Sequence, residues 1–131
     1  MGQELRFYGF GNFYLSQIQH GLQAAHVVGN MSTQYDKESD YYNWAKNYKT
    51  MILLNGGNAH SLNTLVSYFG ESWNTFDWGY FNEDHESLNG CITSVGIILP
   101  ERIYGYDENY DENLTPDEVV FALNLKRYKL A

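Results

Sequence analysis

The chain has 131 residues, 44% of them hydrophobic and 17% aromatic, with a formal net charge of −8. It is long and apolar enough for a real core, which excludes a disordered chain and predicts one domain over residues 1–131. Sixteen acids against eight bases repel a phosphate backbone at long range, which argues against non-specific nucleic-acid binding.

The stretch "LRFYGF", residues 5–10, is short, aromatic and closed by Gly11 and Asn12, which predicts a strand and a turn. Ser16 is placed to cap a helix over 16–31, with Ile18, Leu22, Ala25 and Gly29 recurring at helical spacing. A second short helix is expected around 38–47. "KTMILLN", residues 49–55, reads as a buried strand ending in two glycines. Asn58 then caps a helix whose face carries Leu62, Leu65, Val66 and Phe69, with Gly70 as its stop. "TFDWGYFNE" reads as a strand, "HESLNG" as a turn and "CITSVGIILP" as a buried strand closed by Pro100. Residues 101–118 hold seven acids and form a solvated loop. Thr115 and Pro116 start a last helix, and "LKRYKLA" can end the chain as an edge strand. The order β-α-(α)-β-α-β-β-α-β implies an α/β fold, a compact mixed sheet flanked by helices.

Cys91 is the only cysteine, so a disulfide framework within the chain is impossible and a reducing, cytoplasmic setting is expected. With nothing cationic near it in sequence, Cys91 reads as a buried small hydrophobe. The N-terminus lacks a basic-then-apolar leader, and no apolar run approaches membrane-spanning length, so no membrane contact is expected.

Gln23-Ala24-Ala25-His26-Val27 lies on the first helix, followed by the strand "KTMILLN" and the helix "HSLNTLVSYF". Then come "YFNEDHES", "SVGIILP", "PDEVVFAL" and "LKRYKL". In the order and spacing of these pieces the chain resembles the type 2 peptidyl-tRNA hydrolases, the archaeal and eukaryotic class. That family's first helix carries Gln-Cys-(Ser/Ala)-His-Ala, a later strand ends in Gln-Asp-Ala-Gly-Arg-Thr, and the chain closes with a helix and a short basic strand. The resemblance covers nearly the full length, with residues 104–115 as an acidic insertion. It implies ester cleavage, which needs a positioned water, a proton acceptor, oxyanion stabilisation and cations for the tRNA phosphates. The family's acid falls on Glu83 or Asp84, its threonine on Ser87 and a later hydroxyl on Thr93 or Ser94. Its loop lysines fall on Gln17 and Gln19, followed by His20, and its arginine falls near Glu86. The cations are therefore gone.

Two readings follow. In the preferred one the chain is a diverged binding protein. Its cleft, shaped by His26, Glu83, Asp84 and Ser87 with Gln17, Gln19, His20, Gln23 and Ser94 around it, holds a small polar ligand (a nucleotide is one candidate) or a protein partner. A small, acidic, aromatic-rich domain is also in the style of a phage or mobile-element accessory protein. In the alternative, His26, Glu83, Asp84 and Ser87 are catalytic in a hydrolase of peptidyl-tRNA or a related ester, and tRNA is a partner only then. No spacing matches a metal motif, so neither metal nor cofactor is expected. Each feature also has a plainer reading: His26 as a partly buried core residue, His20 facing elsewhere, "NEDHES" as a solvated turn, "LNGGNAHS" as a tight strand-to-helix turn rather than an anion cradle. Twelve tyrosines leave some exposed, which allows a homo-oligomer. Lys126, Arg127 and Lys129 form the only basic cluster and are placed to pair with the acidic insertion.

Overall fold

The computed structural model describes residues 3–83, 91–109 and 113–131. Strands β1 (Leu5–Asn12), β2 (Met51–Gly57), β3 (Trp78–Asn82) and β4 (Ile92–Pro100) form a mixed four-stranded sheet in the order β2-β1-β4-β3. β1 and β2 are parallel; β4 runs antiparallel to both β1 and β3. A parallel pair needs a crossover, and helix α1 (Gln17–Ser32) supplies it.

Side chains alternate across the strands, and each face collects its own core. Tyr8, Phe10, Val95, Ile97 and Leu99 meet α3 (Ala59–Phe69) and α5 (Pro116–Leu125). There Phe69 packs edge-on to Phe121, with ring centres 5.6 Å apart. Leu5, Phe7 and Ile98 meet Ala24, Val27 and Met31 of α1, with Tyr41 on α2 (Asp40–Asn43) and Trp44 just after it.

The caps read from the sequence are in place. Ser16 and Gln19 form a capping box on α1, Asn58 caps α3, and Thr115 and Glu118 box α5 with Pro116 in its first turn. The second short helix is α2 followed by a π-helical turn, Trp44–Tyr48. That turn closes on Lys49, whose φ of 67° is left-handed. The Trp44 indole donates to the Thr50 carbonyl at 2.8 Å and ties the turn to the start of β2. The stretch after Pro100 is not all loop: α4 (Glu101–Tyr104) opens it.

Both sheet edges are covered. On the β2 side the chain end returns, with the Asn55 N–H donating to the Lys129 carbonyl at 2.8 Å and Leu130 bridging to Leu54. On the β3 side the Tyr35 hydroxyl accepts from the Trp78 N–H at 3.0 Å and donates to its carbonyl at 3.1 Å. Asn30 donates to the Tyr80 carbonyl at 3.1 Å. The basic cluster forms no ion pair among the described residues; the Lys126 amine instead donates to the Tyr106 carbonyl.

Helix α1 is where the expected position is right and the face is not. Its buried residues are His20, Gln23, Ala24, Val27 and Met31. Ile18, Leu22, Ala25 and Gly29, the stripe with the cleaner apolar spacing, point to solvent. The inner face is set by a row of glycines. Gly9, Gly96 and Gly79 lie side by side on β1, β4 and β3. A Cβ on Gly96 would fall 2.3 Å from Phe7, and one on Gly79 would fall 2.8 Å from Met31. Phe7, Val27 and Met31 therefore lie down on bare backbone. No helix among the described residues is long and apolar enough to cross a membrane.

Candidate functional site

Polar side chains gather at one end of the sheet, where β1, β2 and β3 finish and β4 begins. The carboxyl ends of parallel strands are where α/β folds collect functional groups. Helices α1 and α3 both start here, from Ser16 and Asn58. Gly57 makes the turn at the end of β2 with φ 91°, and the Asn55 side chain accepts from its N–H at 3.0 Å. The reading of "LNGGNAHS" as a tight strand-to-helix turn holds.

Six polar or charged residues are buried among the described residues. One, Glu118, is answered by Arg102 at 3.1 Å and by its own cap. The other five, Asn12, His20, Gln23, Thr93 and Ser94, lie together at this end of the sheet. Thr93 donates from its hydroxyl to the Gln23 amide oxygen at 2.8 Å. The Gln23 amide nitrogen reaches the Glu83 carboxylate at a long 3.5 Å. Glu83 is fixed in turn by its N–H, which donates to the Cys91 carbonyl at 3.0 Å. Asn12 donates to the Ile92 carbonyl at 3.3 Å. Its other atom, Oδ1, is buried without a partner among the described residues.

His20 lies directly over Gly11: a Cβ there would fall 2.0 Å from its Nδ1. Burial holds its imidazole below 6.5, the ordinary histidine value, in the neutral form. Tyr14 flanks the same end. Partial burial, then Cys91 and Glu83 nearby, push its phenol above 10.0.

The structure thus brings together Gln23, Glu83, His20 and Ser94. Gln17 and Gln19 stay exposed on the first turn of α1, and the Gln19 amide oxygen accepts from the Ser16 N–H at 2.9 Å. His26 is not a partly buried core residue. It is exposed, and its ring lies flat on Phe81, 4.4 Å between centres and 13° between planes. The spacing of the helix explains this, since His20 and His26 point about 120° apart. His20 faces elsewhere, as expected, and that direction is inward. Asp84 and Ser87, with His85 and Glu86 beside them, lie outside the described residues. Cys91 is exposed, against the expectation of a buried residue; it stands just before β4, at the open end of the sheet.

Beyond Phe81 a cavity of about 550 Å³ opens between the end of α1 and β3. Asn30, Gln34 and Asn82 bring amides to it, and Tyr35, Trp78 and Tyr80 bring aromatic rings. Residues 7–36 and 50–101, which build both the polar cluster and this cavity, contain no lysine or arginine. No group of three metal-ligating side chains is present among the described residues. Asn12 and Tyr14 escaped sequence reasoning. Asn12 was read with Gly11 as a turn after an aromatic strand, and Tyr14 was given no reading; the one signal was a polar residue next to a glycine at the end of that strand. No protein-family model matches the chain, and no curated protein matches it.

Proposed function

We propose that this chain is a binding protein for a small, uncharged polar ligand, built on a diverged frame of the type 2 peptidyl-tRNA hydrolase kind. One observation carries the reading: the buried polar cluster and the cavity beside it are made mostly of amides, hydroxyls and aromatic rings, with the His20 imidazole and the Glu83 carboxylate, on stretches 7–36 and 50–101 that hold no lysine or arginine. Amides both donate and accept, so they match a ligand rich in hydroxyl or amide groups. Aromatic walls supply apolar contact around a few placed polar groups, which is the usual make-up of a small-molecule site. A tRNA would need its phosphates neutralised, and a net charge of −8 opposes that.

The enzymatic alternative would use Glu83 to orient a water and Thr93 or Ser94 to hold an oxyanion. Glu83 reaches toward Gln23 and the His26 ring stacks on Phe81, so among the described residues no hydrogen bond pairs the two as a catalytic acid and base would be.

The test has two arms. Peptidyl-tRNA cleavage is assayed beside an active hydrolase of that family, with His26→Ala as control. A library of uncharged polar compounds is then screened by thermal shift. The expected outcome is no cleavage, and a stabilising compound whose effect Gln23→Leu removes; at a hundred times its Kd such a ligand adds about 2.7 kcal/mol. Cleavage abolished by His26→Ala overturns the binding reading in favour of the enzyme.

A further inference from the structure

Helix α1 is apolar on two opposite sides. Each residue turns the helix by about 100°, so Ile18, Leu22, Ala25 and Gly29 share an arc of about 60°. The buried stripe of His20, Gln23, Ala24, Val27 and Met31 is centred about 180° away. That inner stripe covers the sheet. The outer one is bare, with Ile18 86% exposed and Leu22 55%, and Phe13 just ahead of the helix is 61% exposed. A helix apolar on both sides belongs between two partners.

We infer that the outer face of α1 is the contact surface for a second copy of this chain, the two helices crossing antiparallel about a two-fold axis between positions 23 and 24. The order of residues along the stripe is the first reason. Its spacing of four, three and four residues is that of a helix–helix seam, and it runs large, large, small, small. A two-fold axis at that point sets Ile18 against Gly29 of the second copy and Leu22 against Ala25 of the second copy, then repeats both pairs by symmetry. Every large side chain meets a small one, which is what an isologous interface requires of a single patch. The same axis sets exposed His26 against Gly21.

The glycines are the second reason. A glycine inside a helix costs about 1 kcal/mol relative to alanine. A Cβ on Gly21 or Gly29 would meet nothing within 4 Å, so no contact among the described residues asks for either glycine. Close approach of another helix would ask for both.

Charge is the third reason, and it selects the occupant. Two copies of a chain with net charge −8 repel unless they meet where no carboxylate faces another. The 16 residues of α1 include no aspartate, glutamate, lysine or arginine. A basic partner would find no acid there to pair with, whereas a second copy finds a neutral face that complements itself.

Sedimentation over a wide concentration range tests this on the intact chain. The expected result is a particle of twice the 15.2 kDa chain mass. Leu22→Glu should weaken it at least tenfold, while Val120→Glu, on the exposed side of α5, leaves it unchanged. Gly29→Leu should also weaken it although it favours the helix and its Cβ would meet no described residue, so a loss there with an unchanged unfolding midpoint is not a loss of folding. In a Cys91→Ser background, mixing chains carrying Ile18→Cys with chains carrying Gly29→Cys should give the mixed disulfide far more readily than either variant alone. A monomer at every concentration overturns the inference. So does a dimer indifferent to Leu22→Glu and Gly29→Leu, or an Ile18→Cys variant that cross-links to itself as readily as to the mixed partner.

Discussion

The two faces of the sheet are filled by opposite means. Against α3 and α5 the strands present Tyr8, Phe10, Val95, Ile97 and Leu99, and the helices answer with Leu62, Leu65, Phe69, Phe121 and Leu125. Against α1 the strands present Gly9, Gly96 and Gly79, and side chains lie on the backbone itself. The first face is continuous hydrophobic core. The second is apolar along most of α1 and turns polar at His20, Gln23 and Thr93. A buried polar group lowers stability unless it is paired; Thr93 is paired with Gln23, while Asn12 Oδ1 has no partner among the described residues. The difference separates an all-apolar face from one that carries the candidate site.

That separation can be broken experimentally, beginning with the scaffold. Phe69→Ala removes a fully buried ring that touches Phe10 and Phe121, and should cost about 3–5 kcal/mol in chemical denaturation. Gly96→Val on the other face fails for the opposite reason, since its side chain would enter the space of Phe7 and Val27. It should cost about 1–3 kcal/mol. If Gly96→Val were neutral, α1 would not be seated on the glycine row. Thr93→Val keeps the shape and removes the donor to Gln23, which should cost about 1–2 kcal/mol through the amide oxygen left unpaired. It should also weaken any ligand whose stabilising effect Gln23→Leu removes.

Strands and caps were legible in the sequence because their signals are local. Ser16, Asn58 and Thr115 each precede a helix and each caps it. "KTMILLN" and "CITSVGIILP" are apolar runs of strand length and both became strands, β4 buried as expected but β2 an edge strand that is only partly buried. The face of α1 was not legible, because spacing alone cannot rank two stripes on one helix. Ile18, Leu22, Ala25 and Gly29 make the more apolar set, and the glycine row on three separate strands decided in favour of the other. Of the site, Gln23, Glu83, His20 and Ser94 were named from the sequence and do lie at one end of the sheet. Asn12 and Tyr14 were not, since their importance comes from residues about 80 positions away, as the bond from Asn12 to Ile92 shows. Cys91 went wrong because composition predicts the average cysteine, and this one stands at a strand entrance.

The smallest effect probes the polar end most directly. His20 is held below 6.5 by burial alone, so the folded chain keeps it neutral at a pH where the unfolded chain protonates it. Below 6.5 the unfolded state therefore binds more protons, and stability falls as pH drops toward the lowered folded value. Above 6.5 both states are neutral there and the contribution is constant. His20→Gln should flatten that part of the profile. Equilibrium unfolding at closely spaced pH values for the two proteins reads the difference. An unchanged slope in His20→Gln would mean that the imidazole is not enclosed over Gly11. The polar end would then be open to water, and the contrast between the two faces of the sheet would shrink to one of packing alone.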